Sequence, residues 1–146
     1  MAIFSKTCEY AIRAVFYIAH RSSLGNKVGI KEIAVAIDSP ELYLAKILQD
    51  LSRKGLISST KGPNGGFHIE EGSLNRPLSD IVEAVDGNGL FYGCALGLKQ
   101  CSEINPCPLH EQFKALRTQI HHLLSSTTIN GFNEELMNGL LSLRRN

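Results

Sequence analysis

The chain has 146 residues, of which 43% are hydrophobic and 20% charged, with a formal net charge of +1 at pH 7. This length fits one compact domain, or a small domain with an added helical arm, and the near-neutral charge argues against indiscriminate binding to polyanions. Because no apolar run approaches membrane-spanning length and the N-terminus lacks a signal-peptide pattern, we expect a cytoplasmic protein without membrane association, whose thiols stay reduced.

The charge is unevenly distributed along the chain. Residues 1–77 carry ten Lys and Arg against seven Asp and Glu, a net +3, whereas residues 78–146 carry five against seven, a net −2. The first part is therefore a candidate surface for nucleic acid.

A first helix is predicted from about Ser5 to Ser22, where apolar residues recur at helical spacing. Cys8 belongs to this apolar stripe, so its thiol is expected in the core. Glu9 lies on the polar face and is placed to pair with Arg13 one turn later.

Two short helices are predicted next. The segment IKEIAVAI, residues 30–37, forms the first; the second has Ser39 as its cap and Pro40 at its first helical position, and it extends to about Lys54. The second helix carries a buried stripe formed by Leu44, Ile47, Leu48 and Leu51, and an opposite, more polar face formed by Leu42, Lys46, Gln49 and Arg53. Two short helices with a tight link predict a helix-turn-helix.

A β-hairpin is predicted directly after these helices. The segment GLISST has strand character, GPNGG is a strong turn signal, and FHIE is a second short strand. In this position a hairpin is the wing of a winged-helix domain: its glycine-rich tip permits close approach to DNA, and Lys61 at its shoulder can neutralise a phosphate. The alternative is an ordinary helical domain with a surface hairpin.

The remaining chain predicts a short amphipathic helix in PLSDIVEAVDG, a long helix beginning at Pro108, and a last helix from about Asn133 to Leu143. The long helix carries apolar residues at heptad spacing, which we interpret as a dimer interface although they could instead dock on the core: Leu109, Phe113, Leu116, Ile120 and Leu123. The predicted fold is mainly α with a small β-hairpin wing. It comprises a winged helix-turn-helix over residues 1–87, a cysteine loop over 88–107, and a dimerisation helix with a C-terminal helix over 108–146.

Three of the four cysteines lie in CALGLKQCSEINPCPLH, with His110 at its end. The intervals between Cys94, Cys101 and Cys107 are wider than those of a zinc knuckle and suit the larger body of an iron–sulfur cluster. Zinc, redox thiols and inert packing remain alternatives. Three cysteines leave one ligand position open, which His110 could complete within the chain, or Glu9 from a partner subunit.

Together these motifs resemble the Rrf-type winged-helix transcription regulators, a family with members that sense iron–sulfur status and nitric oxide. The resemblance runs end to end and includes CEYAIRAV, YLAKILQDLSRKGLISSTKGPNGGF, LSDIVEAVDG and the cysteine loop. It implies a homodimer that binds a palindromic operator in double-stranded DNA. It also implies a [2Fe–2S] cluster on Cys94, Cys101 and Cys107, with His110 or the partner's Glu9 as fourth ligand.

By the same resemblance, the third helix enters the major groove and the wing contacts backbone or minor groove. The expected DNA contacts are Ser39, Pro40, Glu41, Leu42, Tyr43, Lys46, Lys61, Asn64, Gly65 and Gly66. Because Pro40, Leu42 and Ala45 replace base-reading residues of related proteins, a different operator is expected: Leu42 suits a thymine methyl, Glu41 a cytosine amine and Lys46 a guanine edge.

The expected function is a transcription regulator that senses iron–sulfur, nitric oxide or redox status. The alternative is a cluster-free repressor of the same fold that responds to a small molecule or to thiol oxidation. An enzyme is not expected, because the sequence has no C-x-x-C, no Ser/His/Asp arrangement and no phosphate loop. Solvated or wing positions are expected for His20, His68, His121 and His122.

Overall fold

A computed structural model describes residues 3–139 and 141–144. Its helices are α1 (Lys6–Ser23), α2 (Ile30–Ile37), α3 (Glu41–Arg53), α4 (Leu78–Asp86), α5 (Gly89–Tyr92), α6 (His110–Ser126) and α7 (Asn133–Met137). Strands β1 (Ser58–Thr60) and β2 (Gly66–His68) pair antiparallel, with Ser59 opposite Phe67. Within these residues, none of the helices combines the length and apolar character needed to cross a bilayer.

Helix α1 is the centre of the core and packs against α2, α3, α4, α7 and β2. Ser5 caps it, its hydroxyl accepting a hydrogen bond from the Cys8 amide at 3.0 Å. The carboxylate of Asp86, at the end of α4, accepts hydrogen bonds from both the amide and the hydroxyl of Ser5. The prediction that Cys8 lies in the core is confirmed, because its side chain is 0% exposed.

The helix-turn-helix forms as predicted, except at its turn. Asp38 ends α2 in the left-handed conformation, and the Pro40 carbonyl accepts the first helical hydrogen bond of α3 from Leu44. Pro40 is therefore the N-cap and the helix begins at Glu41, so the prediction that Ser39 caps a helix starting at Pro40 is wrong by one position. The buried stripe of α3 is confirmed.

The hairpin is connected to the rest of the domain through Val28, between α1 and α2. Val28 and Phe67 exchange two backbone hydrogen bonds, of 2.9 and 2.7 Å. Gly66 has φ +141°, and a Cβ there would lie 2.8 Å from the Val28 carbonyl oxygen. Glycine at this position is what allows the wing to pair with Val28.

Helix α6 packs on α4 and α5. It begins at His110, two residues later than predicted, because residues 107–109 form a turn closed by the His110 amide and the Cys107 carbonyl. After α6, residues 127–130 hydrogen-bond to residues 74–78, with Thr128 opposite Pro77. We refer to this pairing as the return junction.

The last helix is shorter than predicted. It ends at Met137, followed by Gly139 with φ +71°, a conformation that ends a helix. Residue 140 of the predicted helix lies outside the described residues. Further on, the Arg144 guanidinium donates a hydrogen bond to the Val35 carbonyl in α2 at 2.9 Å.

Candidate cluster site and nucleic-acid interface

The cysteine loop connects α5 to α6 and brings the thiols of Cys94 and Cys107 together. Hydrogen bonds from the backbone amides of Leu98 and then Leu96 lower the pKa of the Cys94 thiol, and a hydrogen bond with Cys107 contributes further. Gly97 has φ +74° and closes the turn with the Cys94 carbonyl. The loop backbone thus stabilises a thiolate at Cys94.

Cys101 lies against α6, next to the fourth donor predicted within the chain. Its sulfur is 3.4 Å from Nδ1 of His110. The imidazole is 5% exposed, and its Nε2 is buried without a hydrogen-bond partner among the described residues. On the following turns of α6, the Arg117 guanidinium donates a hydrogen bond to the same sulfur, at 3.2 Å.

The four predicted ligands of the loop therefore form two pairs, Cys94 with Cys107 and Cys101 with His110. Among the described residues, no three His, Cys, Asp or Glu side chains are grouped closely enough to hold a metal ion. The donor chemistry nevertheless fits an iron–sulfur cluster, since it consists of thiols and an imidazole whose buried Nε2 has no other partner.

The other fourth-ligand candidate, Glu9, is paired within its own helix. Its carboxylate lies 3.5 Å from Lys6. The predicted pair with Arg13 is wrong, because the Arg13 guanidinium donates instead to the Ile37 carbonyl at the C-terminal end of α2.

The fourth cysteine, Cys8, lies in a different environment from those of the loop. Burial, followed by the Asp86 carboxylate, raises the pKa of its thiol to about 12, which favours the neutral form.

A cavity of about 380 Å³ opens beside Cys101. It is lined by Phe91, Tyr92, Cys101, Glu103, His110, Lys114, Arg117, Thr118 and His121. A hydrogen bond from Lys114 lowers the pKa of Glu103, and this ion pair closes one side of the cavity. His121 packs on Phe91 with ring centroids 4.6 Å apart, so the solvated position expected for it is wrong.

Of the α6 residues around this cavity, sequence reasoning singles out His110 but gives no role to Lys114 or Arg117. His110, Lys114, Arg117 and His121 recur at intervals of four, three and four, in a stripe parallel to the apolar one that starts at Leu109. This spacing could have been noticed, because such residues share a helix face.

The apolar stripe of α6 is largely open to solvent in this chain. Leu116 is 49% and Leu123 61% exposed, Leu109 and Phe113 are also exposed, and Ile120 packs partly on the core. An exposed apolar stripe on a long helix is compatible with the predicted dimer interface, which stays a prediction.

Most predicted DNA contacts lie on accessible surface. Leu42 is 85% exposed, and its neighbours on α3 and the wing are exposed as well: Pro40, Glu41, Lys46, Lys61 and Asn64. Ser39, Gly65 and Gly66 are half-buried. Tyr43 is exposed but packs edge-on against Tyr10, with its hydroxyl hydrogen-bonded to Thr7, so this hydroxyl already has a partner.

The two-helix unit, the hairpin and the Val28 bridge define a winged-helix domain of the DNA-binding type. The chain belongs to the Rrf2 family, whose sequence model, described as "Iron-dependent Transcriptional regulator", matches residues 4–135. It is accordingly a transcription regulator of the DNA-binding kind and not an enzyme, as predicted.

Several relatives agree with this assignment. A candidate helix-turn-helix regulator of Aquifex aeolicus is 36% identical over 130 residues, covering 87% of this chain and 88% of the relative. The transcriptional regulator IscR of Photorhabdus laumondii is 28% identical over 130 residues, covering 89% and 76%. The fold resembles that of CymR, "the Global Cysteine Regulator of B. subtilis", with a TM-score of 0.73 at 20% identity, covering 92% of this chain and 98% of CymR.

Proposed function

We propose that this regulator controls its DNA affinity through a [2Fe–2S] cluster held by Cys94, Cys101, Cys107 and His110. The observation that carries the proposal is the pairing of the Cys101 thiol with His110, whose Nε2 is buried without a partner among the described residues. A buried imidazole nitrogen of this kind is suited to iron ligation. We favour His110 over Glu9 of the partner subunit because the imidazole of His110 already lies beside a cluster cysteine, with Nδ1 3.4 Å from the Cys101 sulfur.

One further finding supports a cluster, because the matching family is described as iron-dependent. A bound cluster would supply one-electron redox chemistry and a site that nitric oxide or oxygen can attack.

The position of the loop provides a route from the cluster site to DNA. His110 is the first residue of α6, and α6 packs on α4, which packs on α1. A change in the loop therefore acts on helices that support the DNA-binding part, residues 1–87, and the dimerisation part, residues 108–146. Coupling between two such sites is typically about 1–3 kcal/mol, or about 5- to 150-fold in affinity.

On DNA, we propose that a homodimer places one α3 in the major groove of each half of a palindromic operator. Exposed Leu42 would contact a thymine methyl, with Glu41 and Lys46 on neighbouring bases, while Lys61, Asn64, Gly65 and Gly66 of the wing contact backbone or minor groove. The apolar stripe of α6 would set the half-site spacing. A protein acting on chromosomal DNA would work in the cytoplasm.

The test begins with protein purified without oxygen. We expect a brown protein with about two irons and two sulfides per chain. After selection of an operator from random DNA, the affinities of the wild type and Cys101→Ala are compared by fluorescence anisotropy, and a 5- to 150-fold difference is expected. Equal affinities would refute cluster sensing while leaving DNA binding intact.

A second candidate is a cluster-free thiol switch, which the contact between Cys94 and Cys107 favours. Hydrogen peroxide would oxidise the two thiols to a disulfide and be reduced to two waters, taking up both thiol protons and both electrons. Two results together would establish this function in place of the first. The protein from anaerobic cells is iron-free and loses DNA affinity with peroxide, whereas the Cys94→Ser variant keeps its DNA affinity.

A further inference from the structure

Arg117 connects the two halves of the cysteine loop. Its guanidinium donates one hydrogen bond to the Cys101 sulfur, at 3.2 Å, and another to the carbonyl of Gly93, the residue before Cys94. Its Nε is buried without a hydrogen-bond partner among the described residues. One side chain of α6 therefore reaches both the segment that carries Cys94 and the thiol of Cys101.

We propose that Arg117 is a positioning residue that fixes Cys101 relative to Cys94 and raises the reduction potential of the cluster. This inference rests on the proposed function. Arg117 is not one of the four proposed ligands, but it lies on the same side of α6 as His110.

The electrostatic reason concerns the charge at the cysteine sulfurs. Reduction adds an electron to a site that thiolates already make negative, and hydrogen bonds to the sulfurs are one of the factors that set the potential. A donor that is always positively charged stabilises the more negative, reduced state better than the oxidised state. Removing Arg117 should therefore shift the potential to more negative values.

The geometric reason is specific to arginine. A guanidinium has several donors in a rigid plane and can bind two acceptors in fixed directions, whereas a lysine ammonium is a flexible point charge. Arg117→Lys keeps the positive charge and loses this geometry. The variant therefore separates the contribution of charge from the contribution of hydrogen-bond geometry.

Lys114 offers a matched control on the same helix. It lines the same cavity one turn earlier and is likewise positive, but its ammonium is paired with Glu103 and not with a sulfur. Lys114→Gln removes the same formal charge as Arg117→Gln and breaks only the pair with Glu103, so both hydrogen bonds of Arg117, to Gly93 and Cys101, stay in place.

The test is an anaerobic redox titration of the full-length, cluster-loaded protein, followed by its visible absorption and circular dichroism. We expect the midpoint potential to be lowest in Arg117→Gln, intermediate in Arg117→Lys, and close to wild type in Lys114→Gln. An unchanged potential in Arg117→Gln, or a shift no larger than that of Lys114→Gln, would overturn the proposal.

Hydrogen exchange of the cluster-free full chain keeps the inference testable if Arg117→Gln loads poorly. Loss of the hydrogen bonds to Gly93 and Cys101 should speed exchange of amides 94–101 by at least about fivefold, the effect of one typical hydrogen bond, in both Arg117 variants and not in Lys114→Gln. Unchanged exchange would overturn the positioning role. Absence of iron and sulfide from wild-type protein would instead refute the proposed function, and the exchange result would then stand by itself.

Discussion

Replacing Leu116 and Leu123 of α6 by alanine should weaken the proposed dimer and leave each chain folded. Leu116 is 49% and Leu123 61% exposed, so their combined solvent-exposed area in one protomer equals about that of one whole leucine. Burying a leucine side chain contributes about 1.5–3 kcal/mol. A twofold interface contains every residue twice, so the two leucines would contribute about 3–6 kcal/mol to association.

Alanine keeps the Cβ and part of this area, so we expect the double variant to lose about 2–4 kcal/mol, a dimer about 30- to 1000-fold weaker. Sedimentation velocity over a dilution series measures the dissociation constant, and thermal unfolding at low concentration confirms that the chain is folded. His122→Ala is the control, because it is exposed on α6 and the helical period directs it away from the stripe. A double variant that dimerises as tightly as the wild type would refute this interface.

Further predictions concern the core, the wing and pH. Leu48→Ala removes a fully buried side chain of α3 and should cost about 2–5 kcal/mol of unfolding free energy in urea titrations; a loss below 1 kcal/mol would contradict the packing. Lys61→Ala should weaken binding to all DNA sequences alike and reduce the slope of log affinity against log salt by about 1; an unchanged slope would exclude a phosphate contact. Because the pKa of Cys8 is raised to about 12, the stability its neutral thiol contributes is complete below pH 9 and lost as the pH rises towards 12. Between pH 8.5 and 10.5 the wild type should therefore lose about 2 kcal/mol more stability than Cys8→Ala; parallel pH curves would contradict the shift.

The sequence predicted the elements whose pattern is local. The stripe of α3 follows from helical spacing, and the hairpin follows from a glycine-rich turn between two short strands. The burial of Cys8 follows from its place in the stripe of α1. In each case a single periodicity or turn signal determines the structure, so neighbouring residues carry the information.

The errors arose where the partner of a group lies elsewhere in the fold. Helical spacing predicts a pair between Arg13 and Glu9, one turn away, but the guanidinium donates instead to a carbonyl at the end of α2. The contacts of Arg117 could not be predicted from spacing, because Gly93 and Cys101 lie in an irregular loop. The arrangement of the ligands in two pairs depends on that same loop conformation.

The return junction has a consequence for how operators of this regulator can change. Because residues 127–130 hydrogen-bond to residues 74–78, the end of α6 is joined to the segment that leads into α4. In the proposed dimer, the two α3 helices would therefore be held at a nearly constant separation and rotation. One inserted base pair moves a half-site by about 3.4 Å and turns it by about 34° around the DNA axis, which a rigid dimer cannot follow. Operators of this regulator should therefore tolerate base substitutions, each of which lowers the DNA affinity by a limited amount. They should not tolerate insertion or deletion of a base pair between the half-sites.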